Sequence, residues 1–475
     1  MHTIRLLPVF LGLTLVLASC KVSKDSVAAL TALPDSYRNA TPTMDDAIDS
    51  LGITALSRAD FFAEKGLLAL IDTAIAKNND LQLAIKNLEV AQQLLKQAKM
   101  AYLPTVGLSV VASSTRPSNN SLNGLSLNQF LGSKHIEDYS AGASLSWEVD
   151  IWGKIRSQKA AALASYLQTE EAQKAVQTQL VANVAQAYYN LLMLKEQLSI
   201  AKRNLSLNDT TLTLIRHQYE VGEASLLAIE QAEAQQLAAA ELVPVFEQEI
   251  NLQENALNIL LGNMPDSVET RVSLTDITIP QNMSAGIPSI LLSRRPDVKS
   301  SELGILIADA NMRQARASMY PSLTITAQGG VNTFTASNWF NIPASLFGAV
   351  AGGLTQPILQ KRELKTKYET ARIEREKSVI QFRQSILIAV GEVSDALIKL
   401  EKLKQRDAIA TDRVEKLRSA IANADMLFKN GMANYLEVIT AQSNVLQSEL
   451  ELANIKRLQL GALTDLYRAV GGGWQ

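Results

Sequence analysis

YEVGEASLLAIEQA, residues 219–232, and FKNGMANYLEVITA, residues 428–441, decide how this chain is read. Each sets a glycine inside a long run of helix-forming residues, where glycine weakens a helix by roughly 1 kcal/mol relative to alanine. The stretches lie 209 positions apart, and Gly222/Gly431, Ala224/Ala433, Leu227/Leu436 and Ala232/Ala441 fall in register. A glycine just past a helix end takes the left-handed conformation that closes it, so Gly222 and Gly431 are expected to end outgoing helices. Ser225 and Asn434 follow as N-caps of returning ones. Two long helical hairpins are predicted, with tips at the two glycines.

The repetition extends outward from these tips. AKMAYLPTVGLS (98–109) parallels ARASMYPSLTIT (315–326) at an offset of 217, and SWEVDIWGKIR (146–156) parallels TQPILQKRELK (355–365) at 209. The difference falls between residues 110 and 145, in SSTRPSNNSLNGLSLNQFLGSKHIEDY, whose Ser, Asn and Gly content predicts an exposed loop. Between Lys154 and Gln218 no proline or glycine intervenes. Leu180, Val184, Ala187, Leu191, Leu194, Leu198, Ala201 and Leu205 recur at alternating steps of four and three, and Leu212, Ile215 and Tyr219 continue after a break at Asn208. Ile386, Val390, Val393, Leu397 and Leu400 repeat the pattern. A sustained 3.5-residue repeat is a coiled-coil seam, and about 65 residues at ~1.5 Å each make a rod of roughly 95 Å. Pro244 is expected to kink the first returning helix.

Pro104 and Pro321 end the helices that open each unit, because the residue before proline is biased away from α. Alternating segments follow: Val106, Leu108 and Val110; Leu145, Trp147 and Val149; Leu323, Ile325 and Ala327. Period two predicts strands, two per unit and four per chain. The expected organisation is a signal peptide over 1–19, a lipid-anchored segment over 20–60, a first repeat over 61–261, a connector over 262–286 and a second repeat over 287–475.

Bulk composition narrows the function. The 475 residues carry a formal net charge of −2, so no basic field draws in nucleic acid. His2, His135, His217 and one cysteine are too few and scattered for a zinc site or a Cys–His pair. No nucleophile–base constellation stands out, so an enzyme is not expected, and no cofactor beyond a covalent lipid. Residues 1–20, MHTIRLLPVFLGLTLVLASC, place an apolar run after Arg5 and end Leu17-Ala18-Ser19-Cys20, an export signal resembling the bacterial lipobox in which the cysteine takes lipid. An ordinary cleaved signal with a chance cysteine is the alternative. No later apolar run reaches the ~18 residues of a spanning helix, so a membrane would be crossed by strands. Four strands cannot close a barrel, and an open edge in lipid leaves backbone groups unpaired. Two copies would give eight strands with a side-chain-filled interior; three would give twelve around a lumen.

The chain resembles the outer-membrane efflux proteins of the TolC-like family, in the lipoprotein branch serving resistance–nodulation–division pumps. The resemblance rests on LASC (17–20), SWEVDIWGKIR, YEVGEASLLAIEQAEAQ (219–235), LVPVFEQEINLQENALNILLGNMP (242–265) and LLSRRPDVKSSELGILIADANMRQARASMYPSLTIT (291–326). It implies a mainly α homotrimer with a small β part. A twelve-stranded barrel in the outer membrane continues as an α-helical barrel through the periplasm. Such a duct passively serves a periplasmic adaptor (a membrane fusion protein) and an inner-membrane transporter. The second tip then carries the entrance gate, with acidic residues six and nine positions past the glycine and a tyrosine three before it. Those positions hold Glu437, Thr440 and Phe428. Glu437 would supply a ring of three charges and Leu436 an apolar narrowing, while Thr440 departs from the acidic pattern. The first tip offers Ala228 and Glu230, a weaker gate. The alternative reading of Glu437 is a solvated helix residue; RRPDV (294–298), where pairing of Arg with Asp suggests a binding motif, reads instead as a proline-started helix with structural charges around it. Drug efflux, metal efflux, protein secretion and a non-conducting spacer remain open at this level.

Overall fold

In the computed structural model, residues 58–62, 64–278 and 294–474 are described. Among them, α1 (Arg58–Phe62), α2 (Lys65–Lys77) and α3 (Asn79–Met100) precede β1 (Thr105–Thr115), α4 (Leu122–Leu131) and β2 (Ile136–Val149). The first hairpin follows as α5 (Lys154–Glu220) and α6 (Leu226–Leu260). After a 3-10 turn at Leu274–Asp276 come α7 (Pro296–Ala317), β3 (Ser322–Thr333), β4 (Leu346–Thr355), α8 (Glu363–Lys429) and α9 (Tyr435–Ala469).

The duplication is as plain in the elements as in the residues. The outgoing rods α5 and α8 are both 67 residues long, or about 100 Å. The returning helices α6 and α9 both have 35 residues, and α3 and α7 both have 22. The short and returning helices meet end to end. Asn78 caps α3 by accepting from Leu81 N–H and donates its amide to the Leu260 carbonyl at 2.9 Å, where α6 ends. At the equivalent point of the second unit, Arg295 donates to the Ala469 carbonyl at 3.1 Å, where α9 ends. The glycine past each returning helix lies against that junction: a Cβ on Gly262 would meet the Lys77 carbonyl at 2.5 Å, and one on Gly471 the Arg294 carbonyl at 2.7 Å. Each long rod thus packs beside a composite rod of two shorter helices.

The seam of α5 is buried from Leu180 to Ile215, except that Ala187, Leu198 and Leu205 are half-buried. Two expectations need correction. Asn208 does not break the seam but sits buried within it, its amide donating to the Asn204 carbonyl at 2.9 Å and to Asn204 Oδ1 at 3.0 Å. Local pairing inside the helix offsets the cost of burying that amide. Tyr219, in contrast, is exposed, one residue from the end of the rod at Glu220. The main core gathers around Val184, Tyr188, Leu191, Leu257, Leu460 and Leu466, from both hairpins. Helix α6 runs unbroken through Pro244.

The strands form one antiparallel sheet in the order β1-β2-β3-β4. The Ser/Asn-rich stretch read as a loop is only partly one: β1 and β2 extend into it and α4 occupies its middle, capped by the Ser121 hydroxyl at Gly124 N–H. Polar composition marks solvent exposure but does not exclude regular structure when hydrogen-bonding partners lie alongside, as β2 does for β1 here.

Candidate functional site

Two features concentrate function: a sheet that buries neither face, and a pair of hairpin tips far from it in sequence. Pairing Val106 with Leu145, Leu145 with Ala327 and Ala327 with Val350 puts four apolar residues in one row across the sheet. Leu108, Val110, Trp147, Ile325 and Leu354 share that face, since residues two apart along a strand point the same way. The other face carries Ser109, Ser144, Ser146, Thr324, Thr326 and Gln328. Both faces are left open: β1 and β4 are exposed along their whole lengths, with Val110 72% and Val350 81% exposed. The outer edges of β1 and β4 have no strand partner among the described residues. An exposed apolar face of this extent marks an interaction surface, and open edges are templates for further strands.

Aromatic side chains band both ends of the sheet. Near the helical end, Trp152 stacks on Tyr320 at 5.0 Å and donates its indole N–H to the Pro321 carbonyl, while Trp147 donates to the Tyr102 carbonyl at 2.9 Å. At the far end, Tyr139, Trp339 and Phe340 form a contiguous row. Rings with an apolar body and a polar tip collect at membrane–water boundaries. The eleven residues of β1, at ~3.4 Å each and tilted by ~40°, reach roughly 28 Å, close to the apolar band of a barrel in a bilayer. No described helix is long and apolar enough to cross a membrane.

The tips form as their glycines require. Gly222 has φ +80° and Gly431 φ +70°. Gly222 N–H donates to the Tyr219 carbonyl and Glu223 N–H to Gln218, a double closure repeated at Gly431 and Met432. Ser225 Oγ then accepts from Ala228 N–H, and Asn434 Oδ1 from Glu437 N–H. Within one chain the tips stand side by side. Ile215, Ala228 and Ala232 of the first hairpin pack against Phe428 and Val438 of the second. Tyr435 Oη donates to Gln231 Oε1 at 2.6 Å, and Gln442 Nε2 donates to Thr211 Oγ1 at 2.8 Å in a buried position. Farther up, Glu449 accepts from Arg418 and lies 3.6 Å from Arg203, joining α5, α8 and α9.

The residues singled out from sequence divide accordingly. Gly222 and Gly431 stand at the turns, while Glu230, Leu436, Glu437 and Thr440 are exposed on the first turns of the returning helices. Neither Glu230 nor Glu437 forms an ion pair among the described residues, and Thr440 Oγ1 is turned back onto the Leu436 carbonyl at 2.7 Å. Ala228 and Phe428 are buried and hold the tips together. Cys20 lies outside the described residues. The RRPDV charges are structural: Pro296 opens α7, and buried Arg295 bonds Asp297 at 2.6 Å and Glu392 at 2.7 Å. Burial disfavours both Arg295 and Asp297 as ions, but their mutual hydrogen bonds and charges outweigh it, holding the arginine above and the aspartate below its usual pKa. Sequence reasoning missed Gln442, Thr211 and Tyr435, for which polar residues on a coiled-coil flank gave no distinguishing signal.

Residues 70–263 and 287–472 match the outer membrane efflux protein family, one segment in each repeat. SrpC, a solvent efflux pump outer membrane protein of Pseudomonas putida, is 29% identical over 423 residues, covering 89% of this chain and 88% of its own. CusC, a cation efflux system protein of Escherichia coli, is 26% identical over 482 residues and covers 100% of both chains. The open state of the MtrE outer membrane channel of Neisseria gonorrhoeae superposes with a TM-score of 0.83 at 23% identity, over 95% of this chain and 98% of that one. These likenesses are to efflux channel proteins rather than enzymes. With both halves of its duplicated sequence matched, the chain belongs to the outer membrane efflux protein family.

Proposed function

We propose that three copies of this chain form the exit duct of a tripartite efflux pump, passively conducting small toxic solutes from periplasm to exterior. The observation that carries this reading is the four-stranded sheet with one apolar face, one polar face and two open edges. In lipid those edges must pair. Three copies give twelve strands, enough for a wet lumen lined by the serine- and threonine-bearing face. The ~100 Å rods continue the lumen through the periplasm. There the tips at Gly222 and Gly431 meet the adaptor and the inner-membrane transporter, and exposed Glu437, with Leu436 and Thr440 beside it, rings the entrance. Glu230 flanks that ring from the first tip, and Cys20 carries the lipid anchor. The purified oligomer in planar bilayers should conduct, and Glu437→Gln should reduce its cation preference. Folded oligomers without pore current would support a non-conducting spacer instead.

The solute class has two candidates. Similarity to a solvent efflux protein supports organic toxicants, whereas the end-to-end match to a cation efflux protein favours metal ions. Deleting the gene and scoring tolerance to organic solvents against tolerance to copper and silver salts separates them.

A further inference from the structure

The internal repeat provides its own control for one surface patch. Where β2 leads into α5, the sequence EVDIWGKIR balances its charges: Lys154 pairs with Glu148 at 2.9 Å, and Asp150 accepts from the N–H groups of Ile155 and Arg156. Where β4 leads into α8, the aligned residues are PILQKRELK. Both carboxylates are gone: Pro357 stands for Glu148 and Leu359 for Asp150. Lys361 and Arg362 replace Trp152 and Gly153, and Lys365 replaces Arg156. The one acid added here, Glu363, is taken by Lys367 at 2.6 Å. Lys361, Arg362 and Lys365 are exposed and form no ion pair among the described residues. Just before them, Ile358 is 86% and Leu359 94% exposed.

The backbone adds to the contrast. Gly153 has φ +76°, and Arg362, at the same place in the second repeat, has φ +67°, beside Lys361 at +48°. Left-handed backbone is natural for glycine and unfavourable for a residue with a side chain. The second repeat therefore holds a cation where glycine would fit better. The junction also sits in the aromatic band: Gln356 donates to the Met319 carbonyl at 3.2 Å, one residue from the Tyr320 ring that stacks on Trp152.

We infer that this junction is a lipid-binding surface: Ile358 and Leu359 enter the acyl layer of the periplasmic leaflet, while Lys361, Arg362 and Lys365 hold the phosphate of an anionic phospholipid. The inference rests on the sheet's lying in a membrane. Two exposed apolar side chains beside three unpaired cations match the boundary between acyl chains and charged headgroups. Each Lys or Arg at an anionic surface adds about five-fold to association.

Native mass spectrometry of the full-length oligomer in an equimolar mixture of phosphatidylglycerol and phosphatidylcholine tests this. The wild-type chain should retain phosphatidylglycerol in excess. Arg362→Gly, which restores the residue the backbone prefers and so preserves the fold, should reduce that excess about five-fold. Lys361→Gln with Lys365→Gln added should abolish it, and excess inorganic phosphate should not displace the lipid. No excess in the wild type, or an excess surviving the triple variant, overturns the inference, as does full displacement by inorganic phosphate. So does a triple variant that falls apart into monomers while the wild type shows no headgroup preference, for then the patch joins neighbouring copies. A channel that conducts without headgroup preference defeats only this inference, whereas absent conductance in either lipid defeats the channel reading itself.

Discussion

Val110 and Ser109 are neighbours in β1, and exchanging each for arginine, in separate variants, should give opposite results. Val110 is the sixth of eleven residues in its strand, on the apolar face, opposite Ala141. With the sheet in a barrel, that position is near the bilayer midplane, where arginine on the lipid side costs about 2–4 kcal/mol. That is roughly 30- to 900-fold in the folding equilibrium of each copy, and it recurs in every copy of the oligomer. Ser109 faces the other way and pairs with Gly142, which pairs with Gly330, so a long side chain there has open space over glycine. Ser109→Arg should fold like the wild type and change only the conductance. The assay is refolding into lipid vesicles across a urea series, with heat-modifiable mobility on gels reporting the inserted oligomer. Equal effects of the two exchanges would refute the assignment of faces. In an isolated water-soluble chain both sites are exposed, and neither exchange would matter.

Four further outcomes are expected. Arg295→Ala removes a buried partner from Asp297, from the Ala469 carbonyl and from Glu392, which keeps Arg468 at 3.4 Å; thermal unfolding should show a loss of about 1.5–3 kcal/mol, and unchanged melting would remove this node from the stabilising set. Because Asp297 is held below its ordinary pKa, the stability it contributes is present above about pH 4 and lost as pH falls through its folded value; a melting series in which Asp297→Asn abolishes that acid dependence checks the sign. Gly431→Ala meets open space but keeps a left-handed φ, so it should cost about 1–2 kcal/mol, leave the oligomer intact and weaken pump-dependent resistance; resistance at wild-type level would argue against a working tip. Finally, Cys20→Ser should lose acylation yet stay in the membrane, since the strands provide anchorage, and release into the soluble fraction would count against them.

Much of this molecule is legible in residue order because its signals are local. Turn glycines followed by N-caps located both hairpins, and a 3.5-residue apolar repeat in a stretch free of proline and glycine determined the rods. Period-two alternation found β1, β2 and β3, although not the full length of the first two through the polar stretch after Ser113, and β4 follows only from the repeat. Those features depend on neighbours within a turn or two of chain. What pairs at long range was decided only by the tertiary structure. Asn208 reads as a break in an apolar seam until Asn204 is seen one turn away with its carbonyl free to accept. Phe428 stands at a position read for a gate, but burial against Ala228 and Val438 makes it the packing between two tips. The strand order that gathers Val106, Leu145, Ala327 and Val350 into one apolar row joins residues from both repeats. Periodicity shows which residues share a strand face; only hydrogen-bonded register shows which strands share a sheet.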